Sequence, residues 1–273
     1  MNVKKRNVFL VIFCLVLALT FTGCGSDSDG DKDKAATPFE KHAIAYPDGY
    51  KTDEAGASSY DSYGDHFDSP YWKPLDVYNM KSKDSFTVIP EFKTYQQTTE
   101  YTCGACSALM VLNHYGVKDY DEMTIAKKSK TSDTEGVGVD GLAAFFKEIG
   151  WNVERSKAGE YTFDYNNDEN APANWIKWVQ KNLKNGTPIM IDWVDWAGHW
   201  QVIIGYDTMG TDDNMGDDVM IVADPYDTSD HYQDGYYTVG AERFFYMWKE
   251  GVTLKDKPEP QPWVIATPPE KTE

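Results

Sequence analysis

Residues 97–116 read QTTEYTCGACSALMVLNHYG, and this stretch decides what fold the chain is expected to have. The apolar spacing from 104 to 114 is typical of a buried helix, and the following Tyr115-Gly116 is typical of a glycine that ends one. Cys103 lies directly before this helix. The partial positive charge at a helix N-terminus favours the thiolate, which is the nucleophilic form of cysteine. The stretch therefore predicts a reactive cysteine at the start of a buried helix.

Outward from this stretch, helical patterns come first along the chain and strand patterns follow. The further helical patterns cover 120–130, 140–149 (with Asp140 as its N-cap) and 172–184. Short β-rich runs follow at 188–194, 200–206 and 219–223, before a last short helix at 242–249. Helices followed by strands indicate the α+β class, with helices and sheet in two layers.

A nucleophilic cysteine needs a base, and the base needs a partner that orients it. His199 opens one predicted strand, and Asp224 follows the next one. If these strands are neighbours, the two side chains lie close together and the carboxylate selects the tautomer of the imidazole ring. Asp207 and Asp227 are alternative partners for the histidine. The Gln97 side-chain amide and the Cys103 N–H are candidate donors to an oxyanion.

Taken together, these residues resemble the papain-like cysteine peptidases typified by the bacteriocin-processing, double-glycine leader peptidases. The resemblance is carried by Gln97 six residues before Cys103-Gly104, by the stretch GHWQVIIGYD at 198–207, and by Asp224-Pro225. It implies a papain-like α+β fold over residues 86–250, in which the cysteine helix of an N-terminal helical part packs on a C-terminal antiparallel sheet. It also implies roles: Cys103 as nucleophile, His199 as general base, Asp224 as its orienting partner and Gln97 in the oxyanion hole. The implied activity is hydrolysis of peptide or amide bonds.

Two other functions fit part of the pattern. Cys103-Gly-Ala-Cys106 at a helix start also describes thioredoxin-like thiol-disulfide oxidoreductases, although the polar residues 94–102 are not the strand that should precede the motif there. The chain is alternatively a peptide-binding lipoprotein that keeps the papain-like cleft without its activity. A disulfide between Cys103 and Cys106 that switches a peptidase off is a further hypothesis.

The ends of the chain predict export and attachment to a membrane. Residues 1–23 combine a basic start with a short apolar run and resemble a bacterial lipoprotein signal peptide, which predicts lipidation of Cys24. We expect a disordered acidic tether at 24–55, an irregular aromatic-rich segment at 56–85 that wraps the domain, and a Pro-rich, charged tail at 251–273. The apolar run Trp263-Val264-Ile265 within this tail is a candidate for docking on the domain. These features place the chain at the cell membrane, lipid-anchored on its extracytoplasmic face.

Composition and charge restrict the partners. Apolar residues make up 41% of the chain, enough for a substantial core, and 44 Asp and Glu against 26 Lys and Arg give a net charge of −18. Nucleic acid is excluded as a partner because phosphate backbones require basic patches. No zinc-type or EF-hand spacing is present, so we expect no metal and no cofactor. The expected partners are a peptide or protein substrate and the membrane, and we expect a monomer.

Overall fold

The structure is a computed structural model that describes residues 42–50, 56–57, 69–211, 213–250 and 259–270. All of them belong to one compact unit spanning residues 36–273. The predicted signal peptide, the lipidation site Cys24 and the first part of the predicted tether lie outside the described residues. Among the residues that are described, no helix is both long and apolar enough to cross a bilayer.

Apolar β-rich segments form a seven-stranded sheet in which every neighbouring pair is antiparallel. Its strands are β1 (Phe86–Val88), β2 (Asn152–Arg155), β3 (Ile189–Trp193), β4 (His199–Asp207), β5 (Val219–Ala223), β6 (Tyr236–Gly240) and β9 (Trp263–Thr267). The order is β2-β9-β3-β4-β5-β6, and β1 pairs with the far end of β4. Strands β7 (Lys249–Glu250) and β8 (Glu259–Pro260) form a separate ribbon. The sheet is thus centred on β3 and β4, in which 13 of the 14 residues are buried.

Five helices accompany the sheet in the described part of the chain: α1 (Cys103–His114), α2 (Glu122–Lys128), α3 (Val139–Glu148), α4 (Ala171–Lys184) and α5 (Ala241–Met247). Helix α1 is apolar all round and buries every residue from Cys103 to Leu112. Such a helix must be enclosed on all sides. It packs against β4, α2 and α3. The expected α+β fold, with the cysteine helix packed on an antiparallel sheet, is confirmed.

The segment expected to be a C-terminal tail contributes a strand instead. Strand β9 pairs with β3 on one side and with β2 on the other. Its apolar side chains, from Trp263 to Ala266, are buried. The apolar run Trp263-Val264-Ile265 does dock on the domain, and it does so as part of a strand, so the prediction of a tail over 251–273 was wrong for residues 263–267.

The predicted tether also extends too far. Residues 42–50, expected to be disordered, lie against the segment before α1. Thr94 exchanges backbone hydrogen bonds with them, donating to the His42 carbonyl at 2.9 Å and accepting from the Ile44 N–H at 2.8 Å. Tyr46 packs edge-on against Tyr95, with ring centroids 4.9 Å apart. These aromatic and aliphatic side chains bury surface that the acidic residues nearer to Cys24 do not offer.

Candidate active site

Cys103 occupies the first turn of α1, as the sequence predicts. Its side chain is 8% exposed, and Thr102 is the N-cap residue. The N–H groups of a first helical turn have no carbonyl partner within the helix, so they present positive partial charge to a nearby anion. Cys103 and Cys106 are both free thiols. The local structure therefore places the Cys103 side chain at the positive end of a helix.

The sheet brings His199 and Asp224 together. Strands β4 and β5 are antiparallel neighbours, so the beginning of β4 and the end of β5 lie at the same edge of the sheet. His199 is the first residue of β4, Asp224 follows the last residue of β5, and both are buried. Nε2 of His199 lies 2.7 Å from Oδ1 of Asp224. The Cys103 side chain lies close enough to the same ring to raise the pKa of His199.

Charge balance around the imidazole favours its protonated form. Burial by itself lowers the pKa of His199, but the Asp224 carboxylate and the hydrogen bond to Cys103 outweigh burial, and the pKa of His199 is raised well above its ordinary value. Because Nε2 faces Asp224, Nδ1 is the nitrogen left to exchange a proton with the thiol. The arrangement suits a thiolate–imidazolium pair.

A second set of hydrogen bonds fixes Asp224. Its Oδ2 accepts from Nε2 of Gln201 at 2.8 Å, and its Oδ1 accepts from the Tyr226 N–H at 2.8 Å. Gln201 in turn accepts from the Trp193 indole N–H at 3.0 Å. Sequence reasoning missed Gln201. Its spacing from His199 could have revealed it, because residues two apart on a strand share a face of the sheet.

The two alternative carboxylates are engaged elsewhere. Oδ1 of Asp207 accepts from the Met209 N–H at 2.9 Å. Asp227 is fully buried and accepts from the Gly235 N–H at 3.0 Å and from Ser229. Burial and the nearby carboxylate of Asp224 raise the pKa of Asp227 well above its ordinary value. Asp224 is thus the carboxylate that the fold places on His199.

Gln97 lies beside this group but is held by its own loop. Its backbone N–H donates to the carbonyl of Pro225 at 2.8 Å, which ties it to the residue after Asp224. Its side-chain Nε2 donates to the Thr99 carbonyl at 2.6 Å. An amide nitrogen carries two protons, so one remains for another acceptor. The role of Gln97 in an oxyanion hole stays a prediction.

A buried carboxylate that sequence reasoning missed organises the loop between Gln97 and Cys103. Glu122, at the start of α2, is fully buried. It accepts from the Thr98 N–H at 2.9 Å, from the Thr98 hydroxyl at 2.8 Å and from the Thr102 hydroxyl. The Tyr95 hydroxyl donates to it at 3.1 Å. A buried charge with this many donors is stable, and it fixes the backbone that leads into α1.

The Glu122 carboxylate also acts on Cys106, which distinguishes this cysteine from Cys103. Cys106 is fully buried and contacts Glu122, and burial together with this negative charge raises the pKa of the Cys106 thiol well above its ordinary value. Cys106 is therefore held as a neutral thiol, whereas Cys103 lies against His199. The geometry favours Cys103 as the nucleophile.

Gly104 lets α1 approach β4 closely enough to bring Cys103 to His199. A Cβ at this position would lie 2.4 Å from Cγ1 of Val137 and 3.2 Å from Cδ1 of Trp200. Trp200 follows His199 in β4, and its indole N–H donates to the Val137 carbonyl at 2.7 Å. The glycine after the cysteine is thus required by packing.

The comparisons with known proteins identify the family of the chain. The sequence pattern of the Peptidase_C39 like family matches residues 89–253, well over half of the chain. The chain belongs to this family. The match confirms, at family level, the resemblance seen in the sequence. No curated protein matches the chain.

The solved structures that are similar to the chain include two peptidase domains. One is the peptidase domain of Streptococcus ComA, a bifunctional ABC transporter involved in a quorum-sensing pathway, with 20% identity and a TM-score of 0.41, covering 65% of this chain and 99% of that one. The other is the peptidase domain of Streptococcus mutans ComA, with 16% identity and a TM-score of 0.33, covering 64% of this chain and 98% of that one.

Metal ligands are not grouped at this site. In the described ranges, no three His, Cys, Asp or Glu side chains come together as a set that holds a metal ion. The chemistry that the arrangement supports directly is that of a cysteine, a histidine and a carboxylate in contact.

Proposed function

We propose that the chain is a cysteine peptidase that hydrolyses peptide or amide bonds through Cys103, His199 and Asp224. One observation carries the proposal: Nε2 of His199 is hydrogen-bonded to Oδ1 of Asp224 at 2.7 Å, and the Cys103 side chain lies close enough to the same ring to raise its pKa. This is the connectivity that nucleophilic catalysis by a cysteine requires. Membership of a peptidase family supports the same conclusion.

The proposed reaction begins with attack of the Cys103 thiolate on the substrate carbonyl carbon. The Cys103 N–H and the Gln97 amide donate to the negative oxygen that develops. Protonated His199 gives its proton to the leaving amine as the C–N bond breaks, which leaves a thioester on Cys103. His199, now neutral, then takes a proton from water, and the hydroxide equivalent cleaves the thioester. Asp224 stabilises the imidazolium in the first half of the cycle. In the second half it holds the neutral imidazole in one tautomer.

The decisive experiment is labelling with a thiol-directed activity probe at neutral pH, followed by mass mapping of the labelled cysteine. We expect the label on Cys103, its loss in His199→Ala, and no peptide hydrolysis by Cys103→Ala with an unchanged circular dichroism spectrum. Cys106→Ala is the matched control and should retain hydrolysis. Hydrolysis that persists in Cys103→Ala, or that requires Cys106 instead, would refute the proposal. Since no metal takes part in the proposed reaction, hydrolysis should also survive EDTA.

We propose in addition that the peptidase is lipid-anchored through Cys24 on the extracytoplasmic face of the cell membrane. The support is the sequence of residues 1–24 alone. Expression in a bacterial host with a radiolabelled palmitate feed should give a labelled protein in the membrane fraction, and Cys24→Ala should lose the label. An unlabelled wild-type protein in the soluble fraction would contradict the anchor.

A further inference from the structure

Trp196 presents a large aromatic surface to solvent beside the catalytic group. It is 66% exposed and is the most exposed of the nine tryptophans, whereas Trp193 and Trp200 on either side of it are buried. Tryptophan is highly buried on average in folded proteins, and exposed Trp and Tyr rings are enriched where a partner binds. It lies three residues before His199.

The backbone holds the ring there at a conformational cost. Trp196, Ala197 and Gly198 all have positive φ angles, of 50°, 72° and 141°. Bulky residues rarely adopt this region, and such strain collects at functional sites. Two hydrogen bonds preserve the turn: the Ala197 N–H donates to the Val194 carbonyl at 3.0 Å and the Gly198 N–H to the Asp195 carbonyl at 2.8 Å.

Trp196 is part of a group that adjoins all three members of the triad. Its ring centroid lies 5.5 Å from that of Tyr226, whose hydroxyl donates to Oε1 of the exposed residue Glu100 at 3.0 Å. We call Trp196, Tyr226 and Glu100 the platform. Glu100 is three residues before Cys103, and Tyr226 is two residues after Asp224. Three separate segments, each carrying one member of the triad, thus converge on the platform.

The chemistry of the platform matches a cation. The face of an indole or phenol ring attracts ammonium and guanidinium groups, and a carboxylate next to the rings adds a charge-assisted hydrogen bond. The half-buried carboxyl of Asp195 lies near His199 and Asp224 and adds to the negative potential. The net charge of −18 draws basic ligands toward the surface as a whole.

We infer that the platform is a subsite for a lysine or arginine side chain of the substrate, on the leaving-group side of the scissile bond. Trp196 and Tyr226 belong to the segments that carry His199 and Asp224. Since His199 protonates the leaving amine in the proposed reaction, the residues that follow the scissile bond pass over this side of the site. The inference rests on the proposed function and names the substrate class that this function acts on.

Capture of the acyl-enzyme by amines tests the subsite without knowledge of the natural substrate. The full-length chain is acylated on Cys103 with N-benzyloxycarbonyl-glycine p-nitrophenyl ester, and release of p-nitrophenol measures acylation. An added amine then competes with water: its nitrogen forms the new amide bond, the thioester C–S bond breaks, and the amine proton passes to His199. This capture reverses the step in which a leaving amine departs, so its selectivity reports the leaving-group subsite.

We expect argininamide to capture the acyl group at least tenfold better than citrullinamide, which has nearly the same shape and no charge. Trp196→Ala and Glu100→Gln should each bring this ratio, measured per acyl-enzyme formed, to within about threefold of one. Trp196→Phe, which keeps an aromatic face, should retain most of the preference, and Tyr71→Ala, which removes another exposed aromatic ring, should retain all of it. A merely structural role for Trp196 would change capture by argininamide and by citrullinamide equally and leave their ratio at the wild-type value.

The outcomes separate this inference from the proposed function. An acyl-enzyme that forms on Cys103 but partitions equally between argininamide and citrullinamide overturns the subsite and leaves the peptidase intact. A preference for argininamide that survives both Trp196→Ala and Glu100→Gln also overturns it. If wild-type protein releases no more p-nitrophenol than Cys103→Ala, the proposed function fails and the subsite fails with it.

Discussion

At the scale of single residues, His199 shows how opposing effects decide the protonation state of the proposed general base. Burial favours the neutral ring, while Asp224 and Cys103 favour the charged ring, and the attraction wins because the carboxylate is only 2.7 Å away. Asp224 in turn stays in place because Gln201 and the Tyr226 N–H hold it from two directions. The catalytic state of one side chain thus depends on at least three others.

Replacing Asp224 by Asn should shift the pH dependence of catalysis. The thiolate–imidazolium pair persists until pH rises through the raised pKa of His199. In Asp224→Asn, burial still lowers the pKa of His199, but the carboxylate that raised it is gone. The pKa should therefore fall, and the alkaline limb of kcat/KM should move to lower pH. Asp224→Asn should also lower activity less than His199→Ala does. An alkaline limb that is unchanged in Asp224→Asn would contradict the assigned pair.

Glu122 should matter for stability and for the oxyanion step. Glu122→Gln turns a charged acceptor into an amide that faces the donors of Thr98 and Thr102, and we expect a loss of about 3 kcal/mol in the free energy of unfolding. Hydrolysis should fall more than alkylation of Cys103 by iodoacetamide does, since alkylation forms no oxyanion. Urea unfolding measures the loss of stability, and the rates of hydrolysis and of alkylation measure the effect on the oxyanion step.

Glu148 provides the matched control for Glu122. It forms an exposed ion pair of 2.6 Å with Lys128, a residue of the same helix as Glu122. Exposed pairs of this kind contribute at most about 1 kcal/mol, so Glu148→Gln should have little effect on unfolding or hydrolysis. Equal effects of Glu122→Gln and Glu148→Gln would argue against a special role for the buried carboxylate.

At the scale of elements, the contact between α1 and β4 sets the distance between nucleophile and base. Cys103 begins the helix and His199 begins the strand, so any movement of one element relative to the other separates the two groups. Gly104 allows the close approach, because a side chain there would overlap Val137 and crowd Trp200. The packing of these two elements therefore sets the geometry that the chemistry of the site requires.

Gly104→Ala should therefore reduce both stability and activity. Alanine improves helix propensity by about 1 kcal/mol, but a Cβ placed 2.4 Å from Cγ1 of Val137 forces α1 away from the sheet, an overpacking effect of about 1–3 kcal/mol. We expect activity to fall at least tenfold. The second change Val137→Ala removes the overlapping methyl group, so the double variant should recover part of both losses. Additive losses in the double variant would show that the overlap is not the cause.

At the scale of the whole molecule, residues distant in the sequence complete the sheet that carries the site. Strand β9 comes from the end of the described chain and lies between β2 and β3. Its partner β3 pairs with β4, so β9 supports the strand next to the one that holds His199. The buried Val264 of β9 lies opposite Met190 of β3.

Deleting residues 259–273 should abolish cooperative folding. The deletion removes β9, exposes the edges of β2 and β3, and uncovers the apolar surface around Val264. We expect an aggregated product or one without a near-ultraviolet circular dichroism signal. Thr267→Ala, at the partly exposed end of β9, is the control and should fold normally. A deletion variant that folds cooperatively would show that this segment is a dispensable tail after all.

Local sequence patterns were sufficient to predict much of the candidate site and of the fold. The apolar run after Cys103 determined α1, since only a helix buries such a sequence evenly, and the predicted helices and main strands differ from the observed ones by at most two residues at most ends. Errors came where local signals compete. Asp140 was expected as the N-cap of α3, but Gly138 holds that position and Asp140 forms an ion pair with Arg155.

The sequence by itself determined which residue types were available for catalysis and where the buried elements begin. Only the tertiary structure decided that Asp224, rather than Asp207 or Asp227, lies against His199, and that Glu122 supports the loop before Cys103. It also decided that residues 263–267 form a strand. The physical reason is that local propensity acts over a few neighbours, whereas these contacts join groups that are 24 to 25 residues apart or more and exist only once the helices and strands have packed together.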